Sequence, residues 1–268
     1  MNQGVLWFYS TPVLLCKTRK EKKLEQIRLN KYLSEAGVCS RREADRLTEA
    51  GQITVDGKPA VTGMKISPDT VVKVRGKTVK KEEDKILLAF HKPAGIVCTA
   101  EKREKNNVVD YLNYPKRIFP VGRLDKDSTG LLLMTNDGDL VNKIMRAGNY
   151  HEKEYIVSVN KPITEKFCRE MASGVPILDT VTRKCRVEKI GEKEFRIILT
   201  QGLNRQIRRM CEALGYHVVT LKRIRIMNIQ LGKLKEGTWR KVEGKERREL
   251  ERLLTSSSSL SVKERIKR

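Results

Sequence analysis

Gly122-Arg123-Leu124-Asp125-Lys126-Asp127-Ser128-Thr129-Gly130 runs straight into Leu131-Leu132-Leu133-Met134-Thr135. A polar segment bracketed by two glycines thus feeds an apolar strand, a natural place to hold a carboxylate rigidly beside a pocket. On the residues alone, Asp125 is open to three readings: nucleophile, base or ordinary turn residue. Asp127 would complete a glycosidase-like carboxylate pair only if the two faced each other across a bond, which neighbours at i and i+2 on one loop rarely do. Outward from this loop, residues 86–254 alternate strands and helices. Strands are predicted at Ile86–Phe90, Leu131–Thr135, Tyr155–Val159, Phe195–Thr200 and Val218–Ile226. Helices are predicted at 138–147, 164–173, 205–214 and 244–254.

The chain has 268 residues and a formal net charge of +23, with 39% hydrophobic residues. That composition is one of a folded protein with a basic surface, whose expected partner is a polyanion, most often nucleic acid. No stretch of about 18 apolar residues free of charge occurs, which excludes a multi-span membrane protein. The six cysteines form no C-x-x-C, and with three histidines they complete no zinc spacing. They read as reduced, mostly buried thiols of a cytoplasmic protein, and no metal is expected. Residues 4–16 resemble a signal-peptide core, but Met1-Asn2-Gln3 carries no side-chain charge and Lys17 opens a basic run. We therefore read 1–26 as a poorly ordered extension.

Two further clusters stand out. Glu152-Lys153-Glu154-Tyr155 enters a strand, and its tyrosine can serve as core or stack flat on a base. In the stretch 201–215, Asn204 is placed to cap a helix carrying Arg205, Arg208, Arg209 and Glu212 on one face. Ile207, Met210, Cys211 and Leu214 take the opposite face. Arginines without intermixed lysine suggest bidentate work on phosphates or on a carboxylate.

Residues 27–76 read as a compact unit. Leu29, Leu33 and Ala36 share a helical face, Ser40 to Glu43 fits a capping box, and Asp56-Gly57 marks a hairpin. Across this whole segment the sequence resembles an S4 RNA-binding domain. Residues 77–85, rich in charge, read as a linker, and 255–268 as a basic C-terminal tail.

The clusters taken together resemble the pseudouridine synthases of the RsuA-like group, closest to the RluF-type large-subunit rRNA enzymes. Lys92-Pro93-Ala94-Gly95, the Asp125 loop, His151 to Tyr155 and Asn204 to Met210 match that family's motifs in its order. The resemblance implies an α+β protein: an S4-type domain of two helices and short strands, then a catalytic domain with a mixed, largely antiparallel sheet flanked by helices. It implies an isomerase that breaks the C1′–N1 bond of a uridine, turns the base and rejoins C1′ to C5, without a cofactor. Asp125 would be the essential aspartate, Tyr155 would stack on the uracil, and Arg208 would pair with Asp125. Arg123 would take the place of the extruded base, and Leu221 would form part of the pocket wall. Lys153, Arg205, Gln206 and Arg209 would hold phosphates. Asn30, Lys31, Ser40, Arg41, Arg42 and Asp45 would sit on or beside the RNA-facing S4 helices. The implied partner of this monomer is structured RNA, large-subunit rRNA or an assembly intermediate. A tRNA or small-subunit rRNA substrate is the alternative within the family. The rival from another class is a non-catalytic S4-type ribosome-assembly factor.

Overall fold

The structure is a computed structural model and describes residues 26–80, 84–101 and 103–258. The expectation for residues 1–25 therefore lies outside the described residues, as does that for 259–268.

The S4 unit opens with β1 (Ile27–Arg28), α1 (Leu29–Glu35) and α2 (Arg41–Glu49). Then come β2 (Ile53–Val55), β3 (Lys58–Pro59), β4 (Lys65–Ile66), β5 (Val72–Val74) and β6 (Lys77–Thr78). Ser40 caps α2 by accepting from the Glu43 amide at 3.1 Å, as the Ser-x-x-Glu spacing predicts. Asp56 and Gly57 both take positive φ, 49° and 80°, the backbone of a tight two-residue hairpin turn between β2 and β3. Leu29, Leu33, Ala44, Leu47, Ile53 and Val72 form the unit's own core.

This unit extends further than the sequence reading placed it. Lys77–Thr78, read as linker, pairs with β5, and the Val79 amide donates to the Val72 carbonyl at 2.9 Å. The strand is an exposed edge, so its charged residues carry no apolar alternation to reveal it. Ile86 and Asp84 are also fixed, by the Asn136 side chain, which accepts from the Ile86 amide and donates to the Asp84 carbonyl.

The second unit comprises β7 (Leu87–Lys92), α3 (Val108–Leu112), β8 (Phe119–Val121), β9 (Thr129–Thr135) and α4 (Gly138–Met145). It continues with β10 (Lys153–Val159), α5 (Glu165–Ser173), β11 (Pro176–Ile177), β12 (Thr180–Val181) and β13 (Arg186–Lys189). β14 (Glu194–Leu199), α6 (Gln206–Ala213), β15 (Val218–Ile226), β16 (Ile229–Gln230), β17 (Trp239–Lys241) and α7 (Gly244–Leu253) complete it. Its main sheet runs β13-β14-β10-β15-β9-β7-β17, with β8 added on β9 and β16 on β15. Every pairing is antiparallel except β15 with β9, where two register pairs, Lys222↔Thr129 and Arg223↔Gly130, run parallel. The mixed, largely antiparallel sheet is the α+β architecture expected.

That parallel step is a seam of two register pairs, crossed by one of the neighbouring cores through Ile226 of β15 and Ile229 of β16. On one side Val157, Phe167, Met171, Phe195, Met210 and Leu221 pack together. On the other, Leu87, Ala89, Leu131 and Leu133 meet Leu140, Ile144 and Leu250 under one sheet face. Leu88, Phe90, Leu132 and Met134 fill the opposite face with Val108 and Ile118. Both faces of β7 and β9 are covered, which is why they read as continuous apolar runs. The first four tail residues are likewise seated: His151 Nε2 lies 2.7 Å from Ser257 Oγ, and the Ser258 carbonyl accepts from Asn149 Nδ2 at 3.0 Å.

The S4 unit docks on the second through polar contacts. Lys31 Nζ lies 2.7 Å from Asp139 Oδ2 on α4, and Arg117 Nη1 donates to the Ser34 carbonyl at 3.2 Å.

Candidate active site

The Asp125 loop joins β8 to β9 and is anchored from below by Lys92, whose side chain is fully buried. The Lys92 ammonium donates to the carbonyls of Pro93, Lys126 and Ser128 at 2.8, 3.1 and 2.8 Å. Burial pulls this amine below the usual lysine range. The Gly95 amide also donates to the Lys126 carbonyl, and the Ser128 amide closes a turn on the Asp125 carbonyl. The loop backbone is thus held at three successive points, leaving the Asp125 side chain directed into a cleft of about 490 Å³.

Two arginines from the other side of the seam meet this carboxylate. Arg208 Nε on α6 lies 3.6 Å from Asp125 Oδ2, and Arg205 Nη1 lies 3.7 Å from the same oxygen. Arg208 is fixed by donating to the Val218 carbonyl at 3.3 Å, with Ser128 Oγ 3.4 Å from its other terminal nitrogen. Its side chain is only 11% exposed, so its charge acts on Asp125 with little screening by water. Tyr155 and Leu221 line the same cleft, as do Arg123 at its exposed rim and Cys98, whose Sγ faces the Leu124 amide.

Gly130 lets the two halves of the site close. Its φ is 104°, and a β-carbon there would lie 2.2 Å from the Arg223 carbonyl oxygen. Only a residue without a side chain lets β9 approach β15 this closely.

Not every residue read as phosphate-binding is presented for that work. Lys153 is buried, 4% exposed, and donates to the His151 carbonyl at 3.1 Å. It shares a strand face with Tyr155 and Val157, so it points into the cleft floor rather than to its rim. Gln206 is also buried: its Oε1 accepts from the Leu203 amide at 3.0 Å, and its Nε2 faces Met210 Sδ. That side chain shapes the loop before α6. Asn204 does not cap the helix. Arg205 holds the cap position at φ 48°, and the Asn204 carbonyl and Oδ1 accept from Arg209 instead. Arg205 remains exposed at the cleft, whereas Arg209 is half-buried on α6 and does not line it.

In the S4 unit, Lys31 is engaged by Asp139 and Glu35, making it a tie between units rather than a free phosphate ligand. Asn30 donates to both Asp45 oxygens, at 3.0 and 3.2 Å, and braces α1 against α2. Arg41 and Arg42 are exposed at the start of α2. Replacing both by alanine is expected to lower RNA affinity and reduce the slope of log affinity against log salt by about 1–2, since each phosphate contact releases about 0.7–0.9 counterion. A slope equal to that of the wild type, measured by filter binding across a salt series, would remove these two from the interface.

Sequence reasoning passed over Arg223, 1% exposed on β15 and a lining residue of the cleft. Its one signal is an arginine at a position where strand alternation calls for an apolar residue.

Residues 27–72 match the S4 domain family and residues 86–213 match the family described as RNA pseudouridylate synthase. The chain belongs to the RNA pseudouridylate synthases, with an S4 domain preceding the catalytic one. Among its relatives is the dual-specificity RNA pseudouridine synthase RluF of Escherichia coli (strain K12), 56% identical over 235 residues that span 87% of this chain and 81% of that one. The ribosomal large subunit pseudouridine synthase B of Bacillus subtilis (strain 168) is 35% identical, over 73% of this chain and 84% of the relative. A solved crystal structure of a pseudouridylate synthase has a TM-score of 0.62 at 26% identity, covering 85% of this chain and 99% of the other. Among the described residues there is no metal-binding group of three or more His, Cys, Asp or Glu, and no helix long and apolar enough to cross a membrane.

Proposed function

We propose that this isomerase converts a uridine of large-subunit ribosomal RNA to pseudouridine, with Asp125 acting on the ribose–base unit of the target nucleotide. The observation that carries the site assignment is the convergence of Arg205 and Arg208 on the single Asp125 carboxylate at the floor of the cleft. The two neighbouring cations fix the direction of that carboxylate. Tyr155 stacks on the uracil, and Leu221 walls the pocket. Arg123, at the rim, fills the gap that an extruded base leaves in its stack, offsetting a cost of a few kcal/mol. Arg205 and Arg209 contact flanking phosphates, and Arg41 and Arg42 hold a more distant part of the RNA.

The Bacillus subtilis relative, a ribosomal large subunit synthase, supports ribosomal RNA as substrate, and the dual specificity of the Escherichia coli relative favours a second RNA target. We place the enzyme in the cytoplasm with ribosome-assembly intermediates, working as a monomer; one chain supplies all the cleft residues named above.

The test is to map pseudouridines in total RNA from cells with the gene, without it, and with it encoding Asp125→Asn. A large-subunit site missing from the last two strains is the expected result. A site retained with Asp125→Asn overturns the assignment of Asp125, and losses confined to other RNAs overturn the substrate.

A further inference from the structure

The floor of the cleft holds two cations that no carboxylate neutralises. Arg223 is 1% exposed; its Nε donates to the Leu131 carbonyl at 2.7 Å, but its buried Nη2 has no hydrogen-bond partner among the described residues. Lys153 is 4% exposed, and a carbonyl oxygen is its partner. Among the described residues, neither has a carboxylate within ion-pair distance, although the same strands carry well-formed pairs: Arg225 meets Glu152 at 2.9 Å and Glu154 at 2.6 Å on the other face. Burying charge without a counter-charge is costly, and the cost is tolerated where a ligand supplies the missing partner. The buried, unsatisfied guanidinium nitrogen is therefore a group reserved for something that enters the cleft.

We infer that Lys153 and Arg223 are catalytic residues that hold the carbonyl oxygens of the uracil and stabilise the negative charge it acquires when its bond to ribose breaks. This rests on the assignment of Asp125 above and goes beyond it. When the C1′–N1 bond breaks heterolytically, its electron pair stays on the base, giving a uracil anion with charge spread over N1, O2 and O4. The ribose is left electron-poor, facing the Asp125 carboxylate. When C5 bonds to C1′, the C5 proton departs and N1 gains one, so no oxidant, reductant or added group is required. Donors fixed in a dry floor act most strongly on charge that appears only in the transition state. The arrangement divides the labour across the cleft: a carboxylate toward the sugar and two cations toward the base.

The geometry also furnishes a distinctive readout. Burial first, and Arg223 second, bring the Lys153 amine down to about 8. Arg223 on β15 is its charged neighbour; Asp125 and Arg123 from the loop, Arg205 and Arg208 before and on α6, Tyr155 on its own strand and Cys98 line the same cleft, and the His151 carbonyl accepts its hydrogen bond. The rate of a single turnover should fall tenfold per unit above about pH 8 as the ammonium is lost.

The experiment measures single-turnover rates and RNA affinity for the wild type, Lys153→Met, Lys153→Arg and Arg223→Met from pH 6 to 10, with thermal melting of each variant. Lys153→Met should lose about 100-fold in rate with affinity within threefold. Lys153→Arg should recover most of the rate and move the alkaline limb upward by at least one unit. A folded Lys153→Met within threefold of the wild-type rate overturns the proposal. If Lys153→Met fails to fold, an alkaline limb that stays put in Lys153→Arg overturns it instead. A folded Arg223→Met within threefold of the wild-type rate removes Arg223 from the role. The Asp125 assignment is judged separately, by the inactivity of Asp125→Asn with Lys153 intact.

Discussion

Asp125→Asn is expected to abolish pseudouridine formation, by a factor on the order of 10⁴ or more, while RNA binding persists. The substitution preserves shape and removes the charge. Arg208 keeps its bonds to the Val218 carbonyl and to Ser128, and Lys92 still clamps the loop backbone, so the cleft retains its form. What is lost is the only carboxylate paired with Arg205 and Arg208 among the described residues. Because that carboxylate is a negative charge in a site that accepts an anionic polymer, affinity for RNA should stay equal or tighten slightly. The measurement is a tritium-release or mass-spectrometric pseudouridine assay beside a binding titration. Residual activity within tenfold of the wild type would exclude Asp125 as the essential group.

Gly130→Ala should have the second largest effect, on folding and activity together. The added methyl would overlap the Arg223 carbonyl carbon and oxygen, and backbone atoms in paired strands have nowhere to retreat. Left-handed strain at φ 104° adds to the cost. We expect a loss of about 3 kcal/mol or more, seen as a fall in Tm of roughly 6–12 °C. Since the register pair Arg223↔Gly130 also places the cleft floor against the Asp125 loop, activity should fall further than stability explains. A Tm within 2 °C of the wild type would mean that the strands part without cost, contrary to the packing described.

Much of this was written in the sequence in periodic form. The apolar run Leu131 to Thr135 becomes a strand buried on both faces, and 164–173 becomes α5, capped by Thr164 on the Phe167 amide. The α2 capping box and the Asp56-Gly57 turn are local devices, and local devices are legible. Asp125 was legible as a rigidly held carboxylate, and the role proposed for it comes from the resemblance that the ordered motifs carry.

What stayed hidden depends on distant partners or on exposed edges. Lys31 resembles any surface lysine until Asp139, over a hundred residues later, is brought to it. β6 has no alternation because it buries nothing. Lys153 sits among charges in Glu152-Lys153-Glu154, and only the strand alternation that groups it with Tyr155 and Val157 separates it from its acidic neighbours. The start of α6 was misplaced by one residue because Arg205 adopts a left-handed conformation that few arginines take.

The two parallel register pairs at the centre of the sheet carry a mechanical consequence. Seven register pairs join β10 to β15 and six join β7 to β9, but only two join β15 to β9. Backbone pairing is thin at this junction, and apolar packing reinforces it, because Ile226 of β15 and Ile229 of β16 share a core with Leu131 and Leu133 of β9. Asp125 rides on one plate and Arg208, Arg205 and Tyr155 on the other. An RNA gripping both plates would act on the distance between Asp125 and Arg208 against two backbone pairs and the apolar packing that crosses them.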